Sequence, residues 1–423
     1  FLDCSRAVST QRHGLPAPPK ALHRVHHLGH ANPYNKHTRN QLSYHFKPER
    51  KREDVRRYYT IVCFALLLTA VACSTKKNTA GTRRWHAFTA RYNTYFNGKT
   101  SFDEQLQIMQ NGYRENYTER ILMHPVSALP KEKQSAGGPF DRAILKGNKA
   151  IKQHSIQKKP VRKPGWQGNA REVAMQNREE YNPFLKHCWM LVAEGQFYNG
   201  DFLQAAATYS YIARHYATEP EVVAAAHIGR ARCYAEMGWL YETETALERL
   251  EKNGFPAANR KDYDRVYADF LVKSNRTEQA IPALKKVIDT ERNRRQRTRM
   301  RYLLGQLLTE AGRNDEAYRE FGRVASANPP YELEFAARIR QAEVLPPSRW
   351  QQVLSMLRRM SKSDKNKNYL DQVYMAIGDV YMSRHDTAQA IAAYAQGVEK
   401  SVQNGLDLAI CQIKLGDIYF TQK

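Results

Sequence analysis

The sequence predicts an all-α fold: a solenoid of stacked helical hairpins preceded by a signal segment and a basic linker. Three observations predict it. Small residues return at Ala193, Ala231, Ala268, Gly305, Ala342, Gly378 and Gly416, with separations of 38, 37, 37, 37, 36 and 38. Apolar and aromatic residues recur at three- and four-residue steps through each of these units, the helical period. The apolar run TIVCFALLLTAV (Thr60–Val71) stands between a basic block and a polar stretch. A period near 37 with two helices per unit is the mark of a repeat array, in which no unit buries its apolar face alone.

The spacing within a unit identifies the repeat. Leu304-Gly305, Leu308, Ala317, Phe321, Val324 and Pro329 follow the tetratricopeptide pattern, with Leu308 where Tyr is usual. Ile377, Gly378, Tyr381, Ala390 and Tyr394 repeat it. The first unit supplies Trp189, Ala193, Ala205, Tyr209 and Ile212. Ala231, Tyr234 and Leu247 carry the second, and Ala268, Ala280 and Leu284 the third. Gly or Ala at these contacts lets two helix backbones approach, while Tyr, Phe and Leu fill the seam between hairpins. In the fifth unit Leu345-Pro346-Pro347 predicts a shortened or bent hairpin, since proline removes a donor and clashes with the preceding turn. The seventh unit holds only a first helix, with Leu415, Gly416 and Tyr419, so a longer protein is expected.

Twelve residues, almost all apolar, are too few to span a bilayer as a helix. They suit the h-region of a secretory signal, with KPERKREDVRRYY (Lys47–Tyr59) before it and Ala70-Val71-Ala72 ahead of Cys73. The expectation is a lipobox, in which Cys73 is acylated and becomes the mature N-terminus, although Ala70 stands where Leu is commonest. A buried helix ending at an ordinary cysteine is the plainer alternative. The chain opens on Phe1 and its first methionine is Met109, so an incomplete N-terminus or a non-Met start, such as Val55, is expected. Residues 1–54 then read as disordered or untranslated, 55–72 as the lipoprotein signal peptide, and 73–125 as a tether and helical hairpin. Residues 126–181 read as a basic linker and 182–423 as the repeats.

Within 73–125, Trp85, Phe88, Tyr92, Tyr95 and Phe96 form an aromatic stripe expected to face the core, and Asn97-Gly98 is expected to break the helix. The linker holds eleven Lys/Arg against two Asp/Glu between Lys131 and Arg171. Lys158, Lys159, Arg162 and Lys163 are its candidate electrostatic docking residues, weighed against a solvated connector. The six arginines from Arg292 to Arg301 read as a solvated helix face, with phosphate or nucleic-acid contact as the sharper alternative.

The formal charge of +24 favours anionic partners or simply a solvated basic surface. The six cysteines include no CxxC pair. Cys188, Cys233 and Cys411 fall in apolar helical patterns, as core-filling residues do. The seven histidines of residues 1–48 lack the paired spacing of a ligand face, so no metal and no cofactor is expected. The sequence contains no phosphate-binding glycine loop, nucleophile elbow, HExxH or dinucleotide fingerprint, and enzymatic activity is not expected.

ACSTKKNTAGTRRWHAFTARYNTYFNG (Ala72–Gly98) and YNPFLKHCWMLVAEGQFYNGDFLQAAATYSYIARHY (Tyr181–Tyr216) resemble the PorW/SprE family, tetratricopeptide lipoproteins of the Bacteroidota type IX secretion system. The likeness covers most of residues 72–423, without the family's C-terminal continuation. It implies an outer-membrane lipoprotein facing the periplasm, required for secretion and in some lineages for gliding. Its implied partners are proteins of the translocon or periplasmic ring, with no nucleic acid and no small-molecule substrate. Only Cys73 carries over as a modified site. A general periplasmic repeat lipoprotein for envelope assembly is the alternative, and a nucleic-acid binder a third, disfavoured by export.

Overall fold

Thr79 caps helix α1 (Ala80–Thr89) reciprocally: its hydroxyl accepts from Thr82 N at 3.2 Å, and its N–H donates to Thr82 Oγ1 at 2.9 Å. The computed structural model describes residues 59–60, 74–133, 135–162, 165–402 and 405–421. The chain divides into two units, Phe1–Phe64 and Ala65–Lys423, and the architecture that follows is that of the second. The His-rich tract, the apolar run after Thr60, Cys73 and Lys163 lie outside the described residues.

α1 passes through a π-helical stretch, Ala90–Tyr95, into α2 (Phe96–Gly112). The break expected at Asn97-Gly98 is absent. Gly98 instead marks a helix crossing, where a Cβ would sit 2.9 Å from Lys146 Cβ and 3.2 Å from Leu191 Cδ2. The aromatic stripe also differs from expectation. Tyr95 packs inward, but Trp85, Phe88, Tyr92 and Phe96 face solvent. The inward face of α1 and the start of α2 consists of Thr82, His86, Ala90, Thr94 and Gly98, small or polar residues at four-residue steps, and Ser101 and Phe102 continue it along α2.

The hairpin partner of α2 is α3 (Asp141–His154), which lies within the stretch expected to be a linker. Ala143, Gly147, Ala150 and His154 form its buried face, with no large aliphatic residue among them. That face escapes a search for apolar periodicity, yet it lets backbones approach: a Cβ on Gly147 would lie 2.6 Å from Val192 Cγ2. α4 (Ala170–Gln176) follows, capped by Asn169.

The array then runs as α5 (Leu185–Tyr198) with α6 (Phe202–His215), α7 (Pro220–Met237) with α8 (Leu240–Asn253), and α9 (Arg260–Lys273) with α10 (Thr277–Thr290). α11 (Arg294–Glu310) pairs with α12 (Asn314–Ser326) and α15 (Leu370–Met382) with α16 (Thr387–Lys400), while between them α13 (Tyr331–Glu343) packs on α12 and α15, and α14 (Trp350–Ser361) packs on α15. α17 (Leu406–Thr421) is a first helix packed on α16 and α15. Gly200, Gly238, Asn275, Gly312 and His385 close the turn inside their hairpins with positive φ. The fifth hairpin differs. Pro346 and Pro347 fall between its helices, ahead of the first turn of α14, so α14 is itself continuous but short, the connection is longer, and the two helices scarcely touch, the distortion the prolines predict.

Ala193, Ala205, Ala231, Ala268, Ala280, Ala317 and Ala390 are buried at the helix contacts, with Leu304, Leu308, Tyr209, Phe321, Tyr381 and Tyr394 in the seams. Trp189, Tyr234 and Pro329 are half-buried, while Gly416 and Tyr419, on the last helix, are exposed. Gly305 and Gly378 each receive an aromatic ring of the second helix, Phe321 and Tyr394 respectively. One apolar cluster extends from Ile121 to Ile418. Cys188, Cys233 and Cys411 are buried free thiols, and burial pushes Cys188 up to about 12.

Candidate protein-binding groove

The repeat period aligns the first helices position by position, so each column of the array lines one surface. Three residues before the small contact residue stand Met190, Ile228, Arg265, Tyr302, Ile339 and Met375. Six before it stand Ala225, Asp262, Arg299, Ala336, Gln372 and Ile410. Both columns line a single groove of about 1060 Å³, with Leu106 and Met109 of α2 on its other wall.

Part of that groove is filled by the chain itself. The strap of residues 113–128, which follows α2 and ends in the Pro125–Ala128 turn, lies along the first helices. Side chains of α11 and α13 satisfy its backbone. Gln306 Nε2 donates to Glu119 O at 2.7 Å, and Gln306 Oε1 accepts from Ile121 N at 3.1 Å. Arg299 donates to Leu122 O at 2.9 Å, Gln296 to Met123 O at 3.0 Å, and Arg340 to Thr118 O at 2.7 Å. Tyr302 donates to Tyr117 O at 3.2 Å, and the two rings meet edge-on. Ile121, Met123 and Val126 are buried in the array's core clusters. The strap's inward backbone groups are thus paired and Ile121, Met123 and Val126 covered, while Arg114, Asn116, Thr118 and Glu119 stay exposed.

Of the arginine run, Arg299 is buried and takes part in this grip, while Arg292, Arg294 and Arg295 are exposed, as a solvated face requires. Arg295 donates to Asn111, Arg299 pairs with Glu115, Arg301 with Glu320, and Arg294 donates to Ala327 O. The strap's far end is pinned by a buried charge cluster. Lys273 Nζ lies 2.8 Å from Glu236 and 2.6 Å from Asp269, and Ser127 Oγ donates to Glu236 at 3.0 Å. Burial alone would lower the Lys273 ammonium, but Asp269 and Glu236 overcome it and hold it above its ordinary value. Burial pushes the neighbouring His124 imidazole down to about 3, against the pull of Asp269.

Beyond the strap's tip the groove floor changes character. On α13, α15 and α17 the equivalent positions are Ala336, Ile339, Gln372, Met375 and Ile410, joined by Leu333 and Tyr369, and Gln372 donates to Asp407 at 2.6 Å. The charged lining there is Glu332, Glu343 and Asp407 against one cation, Arg340, already engaged by Glu343 and the strap. Lys158, Lys159 and Arg162 are exposed and outside this groove. Their segment is tied down by Asn78, which donates to Lys158 O at 2.6 Å, and Arg162 sits 5.0 Å from the Trp166 ring centroid. Among the described residues no group of three or more His, Cys, Asp or Glu could hold a metal, and no helix is long and apolar enough to cross a membrane.

Residues 298–419 match the family described as tetratricopeptide repeat-like domain. No curated protein matches the chain. Among solved structures, a tetratricopeptide repeat protein from Parabacteroides merdae ATCC 43184 is 12% identical, over 65% of this chain and 91% of that one, with a TM-score of 0.30. The apo quorum sensor NprR from B. thuringiensis is 11% identical over 83% of this chain and 94% of its own, with a TM-score of 0.39. Yeast Tom70 is 9% identical over 75% of this chain and 72% of its own, with a TM-score of 0.32. Repeated hairpins in register, together with the match over 298–419, make the described fold a tetratricopeptide-like solenoid, an architecture that binds protein partners and is generally non-enzymatic.

Proposed function

We propose that this protein is a non-catalytic scaffold, anchored through an acylated Cys73 at the periplasmic face of the outer membrane, that binds proteins of the type IX secretion machinery. The observation that carries the binding role is the open end of the groove, where half-buried Ala336, Met375 and Ile410 lie beside buried Leu333 and Ile339 and are edged by carboxylates. An extended peptide suits the strap region because Gln296, Arg299 and Gln306 serve its backbone. Ala336, Ile339, Met375 and Ile410 offer no such donors, and the Gln372 amide beside them is already engaged by Asp407. A segment docking there must satisfy its own backbone, so the reading assigns it to an amphipathic helix of the partner, apolar on one face and cationic at its edge. The secretion role and the anchor are supported by the resemblance of Ala72–Gly98 and Tyr181–Tyr216 and by the basic, apolar and Ala72-Cys73 sequence order.

Affinity capture of translocon and ring proteins tests the binding role. Met375→Glu with Ile410→Glu, at two half-buried positions, is expected to cut their recovery at least tenfold while helical circular dichroism is unchanged. Recovery equal to wild type refutes the groove reading. Metabolic acyl labelling tests the anchor: label present on wild type and lost in Cys73→Ala supports it, and an unlabelled wild type refutes it.

A further inference from the structure

The face of α1 and α2 that points away from the array carries four large aromatic side chains in one row. Trp85, Phe88, Tyr92 and Phe96 follow at steps of three, four and four, and are 40%, 60%, 57% and 60% exposed. Contiguous exposed aromatic surface is rare on a soluble protein unless something covers it. The row is self-associated, with the Phe88 and Tyr92 rings 4.8 Å apart and the Arg91 guanidinium 5.1 Å from the Tyr92 ring centroid. The opposite face of the same helices is already buried against the array, through Ala90 and the His86–His154 contact, so the row is not left over from a misplaced helix.

Charge identifies what covers it. Residues 74–98 contain five cations, Lys76, Lys77, Arg83, Arg84 and Arg91, and no Asp or Glu; Lys99, next in the chain, is paired with Asp103. Arg84 and Arg91 are exposed beside the aromatic row. Tryptophan and tyrosine with an apolar body and a polar tip, interleaved with arginine, are the residues that settle at a bilayer's headgroup level. A helix lying in that plane needs an aromatic or apolar face for the acyl boundary and cations for anionic headgroups. A protein partner would meet an aromatic face as well, but it does not by itself call for a stretch wholly free of carboxylates.

We infer that the Trp85–Phe96 face is a membrane-surface docking site that seats the start of the array on an anionic lipid bilayer. The inference is independent of the groove. It extends the proposed anchor, because a lipid chain holds a protein near a membrane without orienting it, whereas an aromatic helix face fixes which side of the array meets the headgroups.

The test uses the full chain with Cys73→Ser, so that no acyl chain contributes, and the same chain with Trp85, Phe88, Tyr92 and Phe96 all changed to Ser. Co-sedimentation is measured with vesicles of phosphatidylcholine containing phosphatidylglycerol. The serine variant is expected to partition at least tenfold less, with unchanged helical circular dichroism. Arg84→Glu with Arg91→Glu should lose the dependence on phosphatidylglycerol and on salt. Trp85 supplies a local readout: brominated lipid should quench part of the fluorescence, and Trp85→Phe should lose that part. Equal partitioning of the parent and serine chains, or equal quenching with and without Trp85, overturns the inference. So does a serine variant that keeps its vesicle binding but loses a captured protein, which would make the row a protein contact. Loss of the acyl label would remove the anchor reading alone and leave this result standing.

Discussion

Arg299 on α11 and Glu115 on the strap form an ion pair whose side chains are only 10% and 6% exposed. The second carboxylate oxygen of Glu115 is buried without a hydrogen-bond partner. Burial raises the Glu115 carboxyl, and Arg299 opposes that rise. Removing one member of such a pair strands the other charge, a loss of about 3–5 kcal/mol, whereas an apolar replacement of both is far milder. Arg299→Ala is therefore expected to lower the urea midpoint sharply and to release amide protection across the strap. Glu115→Leu with Arg299→Met should recover at least half of the lost stability. Additive losses in that double substitution would show that the strap is held by its other contacts alone.

Gly305 and Phe321 make a second sharp prediction. A Cβ on Gly305 would stand 2.6 Å from ring carbon Cε1 of Phe321, whose side chain is fully buried. Gly→Ala inside a helix ordinarily gains about 1 kcal/mol. Here overpacking reverses the sign, with an expected net loss of about 1–3 kcal/mol. Gly305→Ala should lower the denaturation midpoint, and Phe321→Leu added to it should restore part of the loss. A more stable Gly305→Ala would mean that the ring moves aside freely.

The array was legible because its signal is periodic. The small residue returning every 36 to 38 positions predicts the seven first helices, and the same spacing places Arg299, Ala336 and Gln372 in one column. The groove was thus readable in principle, though only the seam residues are conspicuous in the repeat pattern. The strap was not readable. Tyr113 to Met123 has no period, and its place is fixed by contacts with α11 and α13 that lie far along the chain. α3 was hidden for the opposite reason, since Ala143, Gly147 and Ala150 bury a face without large apolar residues. The aromatic row misled because helical spacing shows that residues share a face and not which face is covered.

The basic segment after α3 gives a prediction that separates docking from spacing. Lys158, Lys159 and Arg162 are exposed, so replacing them and Lys163 with Gln should leave the melting curve unchanged, within about 0.5 kcal/mol. If the segment touches an anionic partner, its contacts are screened together, because exposed charges act over only about 8 Å in physiological salt. Partner capture by the variant should then be weaker and less salt-dependent than that of wild type. Equal capture at every salt concentration would leave the segment a connector between α3 and α5.

His124 makes stability depend on pH, with a sign set by its depressed pKa. Asp269 faces it favourably, while Arg232, Lys273 and Arg265 face it with like charge, and burial adds to their effect. Above about pH 6.5 the imidazole is neutral in the folded and the unfolded chain, and its contribution is complete. Below that, the unfolded chain takes up a proton while folded His124 resists until about pH 3. The unfolded state then binds more protons, so stability falls with falling pH, by up to about 1.4 kcal/mol per pH unit from this group. Glu115 and Glu194, held above the carboxylate range by burial, act in the opposite sense, contributing most where they stay protonated at low pH. Comparing variants isolates the histidine. Melting temperature should drop between pH 7 and pH 5 in wild type, and His124→Asn should flatten that drop. Parallel curves for the two proteins would show that His124 takes its proton equally in both states, as it would if the strap were open to water.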